Sequence, residues 1–159
     1  MKFSEFINDP ISQAKHLMLI GHPVSHSVSP MMHNLALREY NLDISYVAVD
    51  VEAHELPSLM AHFNSDSFLG ANITLPYKET LFNAVDQHSD LAKEMGVINC
   101  IQKTSHTLIG HNTDSYGFIK PLQIQGFDHF NSALIFGFGG AAQAAIHGLE
   151  QLGCDTIYV

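Results

Sequence analysis

Positive charge is scarce in this chain of 159 residues: seven lysines and arginines stand against sixteen aspartates and glutamates, a net charge of −9. Nucleic acid and anionic membranes both need a basic face, so neither is expected as a partner. A small anionic substrate remains compatible with that balance, because local hydroxyls and one lysine suffice to hold a carboxylate. Long hydrophobic runs are missing too. No stretch approaches the roughly 18 apolar residues of a membrane span. The opening "MKFSEFINDP" has a single lysine and no apolar run long enough for a signal peptide. Cysteine is nearly absent: Cys100 and Cys154 lie in apolar surroundings and read as buried free thiols, which fits a cytoplasmic location. Charged residues make up only 14% of the chain and hydrophobic ones 46%, the balance of a packed chain rather than a disordered one.

Histidine, by contrast, is plentiful. The eleven histidines are scattered, His22 and His26 flank Pro23 in a loop-like stretch, and neither HExxH nor paired Cys/His spacing occurs. Structural or surface roles are the expectation for most of them, and no metal site is expected.

Apolar runs alternate with amphipathic stretches, the pattern of an α/β fold. Strands are expected over 16–21, 44–51, 68–74, 97–102 and 107–112. Helices are expected over 30–40, 53–63, 77–84, 88–95 and 114–122. The interruption "KTSH" between the last two strands reads as a hairpin loop, which makes the sheet mixed but mostly parallel. A stretch poor in periodicity, 121–131, is the expected boundary. Beyond it, "NSALIFGFGGAAQAAIHGLEQLGCDTIYV" reads as strand, glycine turn, helix and strand, one β-α-β unit. Such a unit leaves most of a parallel sheet uncovered, so the chain is expected to be part of something longer.

Polar residues gather at the strand ends. "ANITLPYKET" stops on Pro76, which cannot continue a central ladder, and places Asn72, Thr74 and Lys78 where open α/β sheets put their ligands. Asn99 is expected at the end of a strand, and Thr113 and Asp114 after another. "SHSVSP" sets Ser27 and Ser29 just before a helix start, a cradle of neutral donors for a carboxylate or simply a cap on that helix. "GFGGAA" fits G-x-G-x-x-G/A between a strand and a helix. In that motif Gly137 permits the tight turn and Gly139 the close approach of a pyrophosphate to the helix start. The residue that separates NAD from NADP follows the second strand of such a unit, so the residues leave that choice open.

In this order and spacing, "GHPVSHSVSPMMHN", "NITLPYKE", "GVIN", "GHNTDSYGF" and "GFGGAA" resemble the shikimate/quinate dehydrogenase family over roughly residues 17–159. The resemblance implies a three-layer substrate domain with a mostly parallel sheet over 1–122. The beginning of an incomplete NADP-binding Rossmann domain would then occupy 123–159. It implies the interconversion of 3-dehydroshikimate and shikimate, a step toward chorismate and the aromatic amino acids, in a monomer or homodimer. Carried over residue by residue, Ser27 and Ser29 hold the substrate carboxylate. Thr74, Lys78, Asn99 and Asp114 contact the substrate, Asn72 of the polar rim is expected to join them, and Lys78 with Asp114 forms the catalytic pair. Gly137, Gly139, Gly140 and Ala141 lie under the cofactor phosphates. Ser29 leans toward shikimate over quinate. A shikimate-binding fragment without turnover is the alternative reading of a chain that lacks the rest of the cofactor domain. Three positions depart from the family pattern: Cys100 in place of threonine, His111 in place of an acidic or small polar residue, and Phe138 between the glycines. Phe138 is expected to turn away from the pyrophosphate side.

Overall fold

The computed structural model describes residues 1–159. Along the chain come α1 (Phe3–Phe6), β1 (His16–Gly21), α2 (Ser29–Glu39), β2 (Ser45–Asp50), α3 (Leu56–His62) and β3 (Phe68–Ile73). They are followed by β4 (Gln87–His88), α4 (Asp90–Met95), β5 (Cys100–Thr104), β6 (Thr107–His111), α5 (Asp114–Ile124), β7 (Ala133–Leu134), α6 (Gly140–Gln151) and β8 (Ile157–Tyr158).

The run "HLMLIG" has no polar face to offer water, and as β1 it is buried almost throughout, as a strand covered on both sides requires. It sits between β2 and β3, parallel to both. The sheet order is β2-β1-β3-β5-β6-β4, and only β5 runs against its neighbours. The fold is therefore a mixed, mostly parallel α/β sheet, as the alternating pattern led one to expect.

Side chains alternate across this sheet with period two. Met18, Ile20, Val47, Val49, Phe68 and Ile73 point to one face, where Phe3 and Phe6 of α1, Leu59 of α3 and Ala92 of α4 complete a single core of 17 buried residues. Leu19 and Tyr46 point to the other face and meet Val24 and, from α2, Leu37 in a much smaller cluster. Helix α2 has apolar residues at helical spacing, yet none of its residues is buried, and Met31, Met32 and Leu35 are exposed.

A pair of histidines is built into the larger core. His16 is fully buried; its Nδ1–H donates to the Ala14 carbonyl at 2.8 Å, which leaves Nε2 to accept from His62 Nε2–H at 3.0 Å. Phe6 meets both rings edge-on. Burial, the facing His16 and the Lys103 ammonium push His62 down to about 4, and burial lowers His16 as well.

Several expected elements come out differently. Residues 80–84 form a 3₁₀ turn rather than a helix. The stretch 88–95 divides into β4 and α4, the latter started by the Ser89 side chain accepting from Ala92 N–H. The strand expected from Val97 begins only at Cys100. Helix α5 runs on to Ile124 with Pro121 inside it, so the expected limit at 122 falls within a helix. Cys100 and Cys154 are free thiols, half-buried rather than buried. No helix is long and apolar enough to cross a membrane.

After α5, β7 and β8 pair in parallel as a separate two-stranded sheet connected by α6. Helix α6 packs on α5 at close range. A Cβ on Gly148 would come within 2.5 Å of Ile119 Cγ2 and 3.0 Å of Phe118 Cδ1, and Ser115 Oγ lies 2.8 Å from His147 Nδ1. Glycine at 148 is what lets the two helices approach.

Candidate active site

The carboxyl ends of β1, β3 and β6 reach one edge of the sheet, and β5, running the other way, begins there. A hollow of about 690 Å³ opens at this edge on the α2 side. Ser27, Ser29, Asn72, Thr74, Lys78, Asn99 and Asp114 all line it. The seven residues come from four separate stretches, and the sheet topology gathers them. Asn99 is the one reached by an unexpected route: it precedes β5 instead of ending a strand, and arrives at the edge only because β5 is reversed.

Lys78 and Asp114 face one another. Lys78 Nζ lies 2.5 Å from Asp114 Oδ2, with both side chains largely shielded from solvent. The other carboxylate oxygen, Oδ1, accepts from Asn99 Nδ2 at 2.6 Å. Asn99 is itself held, because its Oδ1 accepts from the Thr113 backbone N–H at 2.9 Å. The Asp114 N–H in turn donates to Asn112 Oδ1 at 3.0 Å. A carboxylate with both oxygens occupied by fixed donors keeps one orientation, and the ammonium it holds does likewise. Asp114 opens α5 without capping it; its side chain is committed to Lys78 and Asn99.

Capping is equally absent at the serines. Val28 occupies the cap position of α2 and no side chain caps that helix. Ser27 Oγ accepts from the Ser29 N–H at 3.2 Å, which leaves the Ser27 hydroxyl hydrogen and the Ser29 hydroxyl free to donate. The loop carrying them is tied down by Asp50, whose Oδ1 lies 2.5 Å from His22 Nδ1 and whose Oδ2 accepts from Val24 N–H at 3.3 Å. The hydrogen bond from His22 holds the Asp50 carboxyl below its ordinary range. Gly21 lets this loop cross the next one: a side chain there would collide with Thr74, Leu75 and Val24.

The glycine turn does not line the hollow itself but lies next to the stem of Lys78, which does. Gly137 has φ +103°, a conformation that favours glycine. Gly139 precedes α6 in extended conformation, and the first helical bond runs from Gln143 N–H to its carbonyl. The amides of Gly140, Ala141 and Ala142 therefore lack helical partners and are open to an anion. A Cβ on Gly137 or Gly139 would meet nothing within 4 Å, so the space in front of the turn is free, and one on Gly140 would lie 3.6 Å from Lys78 Cδ. This donor set fits a dinucleotide pyrophosphate. Phe138 does not line the hollow; it borders a separate depression with Glu94, Met95, Gln143 and His147.

Residues 19–101, just over half of the chain, match the model of the shikimate dehydrogenase substrate binding domain. The chain belongs to the shikimate dehydrogenase family. It is 39% identical over 149 residues to a shikimate dehydrogenase (NADP(+)) of Syntrophomonas wolfei, a match covering 93% of this chain and 51% of that protein. The crystal structure of shikimate dehydrogenase 1 from Peptoclostridium difficile superposes with a TM-score of 0.85 at 30% identity, over 91% of this chain and 54% of that one. A shikimate 5-dehydrogenase of Thermus thermophilus, solved in complex with NADP(H) and shikimate, gives 0.81 at 34% identity, over 90% and 55%. The chain thus spans about half the length of the family members it matches.

Within this shikimate dehydrogenase fold the hollow has contributors that the sequence motifs did not single out. His22, His26 and His33 line it. His33 stacks on Tyr46, ring centroids 4.2 Å apart. All three lie inside the stretch "GHPVSHSVSPMMHN" without having been given a role in the site, and Tyr46 reads in sequence as one more buried strand residue.

Proposed function

We propose that the full-length protein carrying this chain catalyses the reversible NADP-dependent reduction of 3-dehydroshikimate to shikimate. Lys78 and Asp114 are the catalytic pair in this reading. The observation that carries it is the Lys78–Asp114 pair at 2.5 Å, beside a glycine turn in which a Cβ on Gly140 would meet the lysine stem. NADP, when bound over Gly137, Gly139, Gly140 and Ala141, supplies or receives the hydride. Reduction leaves negative charge growing on the former ketone oxygen, which needs a proton or cation within hydrogen-bond distance. Lys78 is the cation of the hollow and meets that oxygen. Asp114 keeps the ammonium aimed and accepts from a neighbouring ring hydroxyl, with Asn99 holding the carboxylate. Ser27 and Ser29 bind the substrate carboxylate through neutral donors, and Asn72 and Thr74 complete the polar wall. Residues 1–122, extended to the end of α5 at Ile124, act as the substrate-binding part, and the remainder as the start of the dinucleotide-binding part.

The test is oxidation of shikimate by the full-length protein with NADP, followed by the absorbance of the reduced nicotinamide. Lys78→Ala is expected to lower kcat by about 10²- to 10⁴-fold, the usual worth of a positioned acid–base group, with KM for shikimate changed only a few-fold. A Lys78→Ala enzyme with near-normal kcat refutes the role.

A further inference from the structure

Asn72 sits on the wall of the hollow with its amide already half committed. Its Oδ1 accepts from the Tyr46 hydroxyl at 2.8 Å, and its Nδ2 has no partner within the protein. An amide whose oxygen is occupied presents only its two N–H donors to whatever fills the hollow. The other end of this contact is fixed too. Tyr46 is 4% exposed, its ring lies flat against His33, and its backbone is held in register from α2. Asn34 Oδ1 accepts from Tyr46 N–H and Asn34 Nδ2 donates to the Tyr46 carbonyl, each at 2.8 Å. Those two backbone groups lie on the outer side of β2, the last strand of the sheet, where Met1 and Lys2 pair farther along with Ala48 and Asp50; the Asn34 amide continues that ladder at Tyr46.

We infer that Tyr46 is a positioning residue for substrate recognition: its hydroxyl locks the Asn72 amide so that Nδ2 donates to an oxygen of shikimate. The phenol stays a donor over the working range, because burial, assisted by the nearby Cys100 thiol, drives its ionisation well above the ordinary 10. Asn34, through the Tyr46 backbone, holds the phenol in place. Without the phenol the amide can turn over, and its carbonyl oxygen then confronts a substrate oxygen that also accepts. The effect falls on binding rather than on the hydride step, since Asn72 makes no hydrogen bond to Lys78 or Asp114. This inference rests on the shikimate reading above.

The experiment uses the full-length enzyme with shikimate and NADP, and compares Tyr46→Phe, Asn72→Ala, the double variant and Asn72→Asp. Tyr46→Phe is expected to raise KM for shikimate about threefold to tenfold, the loss of one oriented hydrogen bond. Its kcat should stay within about twofold and its KM for NADP should not change. In the double variant KM should equal that of Asn72→Ala alone, because the phenol acts only through the amide. Asn72→Asp leaves Tyr46 its acceptor but turns a second acceptor toward the substrate, and should weaken shikimate more than Asn72→Ala does. An unchanged KM for shikimate in Tyr46→Phe, effects that multiply in the double variant, or normal KM in Asn72→Asp would each overturn the inference. If Tyr46→Phe does not fold, Asn34→Ala, which frees the Tyr46 backbone, takes its place: KM for shikimate should rise with kcat kept, and an unchanged KM overturns the inference. Wild-type protein that does not oxidise shikimate defeats the functional reading itself, and the inference with it.

Discussion

Acid should loosen this fold through two histidines away from the polar hollow, which neither of them lines. His62 is 8% exposed and His16 fully buried, and both are held neutral, His62 down to about 4 from the ordinary 6.5. Between those values the unfolded chain binds the proton and the folded chain does not, so stability rises with pH across the window and falls as acid is added. The His62 contribution is complete above about pH 7 and lost by about pH 4; at about pH 5 the loss amounts to about 2 kcal/mol. Because the sequence has no tryptophan, urea unfolding followed by far-UV circular dichroism is the suitable assay, run at about pH 7.5 and about pH 5. His62→Gln keeps a donor for His16 Nε2 and removes the titration. The variant should lose less stability than wild type across that interval, by about the same 2 kcal/mol. Parallel losses in the two proteins would refute the reasoning, since carboxylate titration acts on both alike.

Two further outcomes follow from contacts described above. Gly148→Val would drive a side chain into Ile119 and Phe118 where α6 meets α5; a stability loss of about 1–3 kcal/mol is expected, read as a lowered Tm, and an unchanged Tm would show that the helices separate without cost. Replacing Ser29 by alanine removes a free donor from the hollow, and KM for shikimate in the full-length enzyme should rise about tenfold with kcat little changed; a fall confined to kcat would contradict a carboxylate role for this residue.

Six of the seven residues of the hollow were legible because each sits beside a signal of chain direction: Pro76 beside Asn72, Thr74 and Lys78, Pro30 after the serines, and the Asn-Thr-Asp run at the start of α5; Asn99 was expected at a strand end and instead precedes β5. The mixed sheet was legible from "KTSH", which is too short for anything but a hairpin. What escaped has physical reasons. Helix α1 is four residues long, below the length at which a 3.6-residue period can be seen. Residues 80–84 have helical composition but only one turn to form, and 3₁₀ geometry suits such short pieces. The start of β5 was misjudged because Val97 and Ile98 look like strand residues, while their burial in the structure comes from core packing. Tyr46 escaped for a different reason: its partner Asn72 is 26 residues away, and only the pairing of β2 with β1 and β1 with β3 brings the two to one face.

The reversal of β5 separates two jobs that a parallel strand would have combined. Its first residue follows Asn99 at the edge that carries the hollow, while its last pairs with Thr107 at the distant end of the sheet, across a turn where Ser105 adopts φ +52°. Chain added at Ser105 and His106 would lengthen a loop on the far side of the domain without moving Asn99 or Asp114. Evolution and protein engineers alike are free to rewrite that tip, fusing peptides or tuning solubility there, while the chemistry at the opposite rim is left alone.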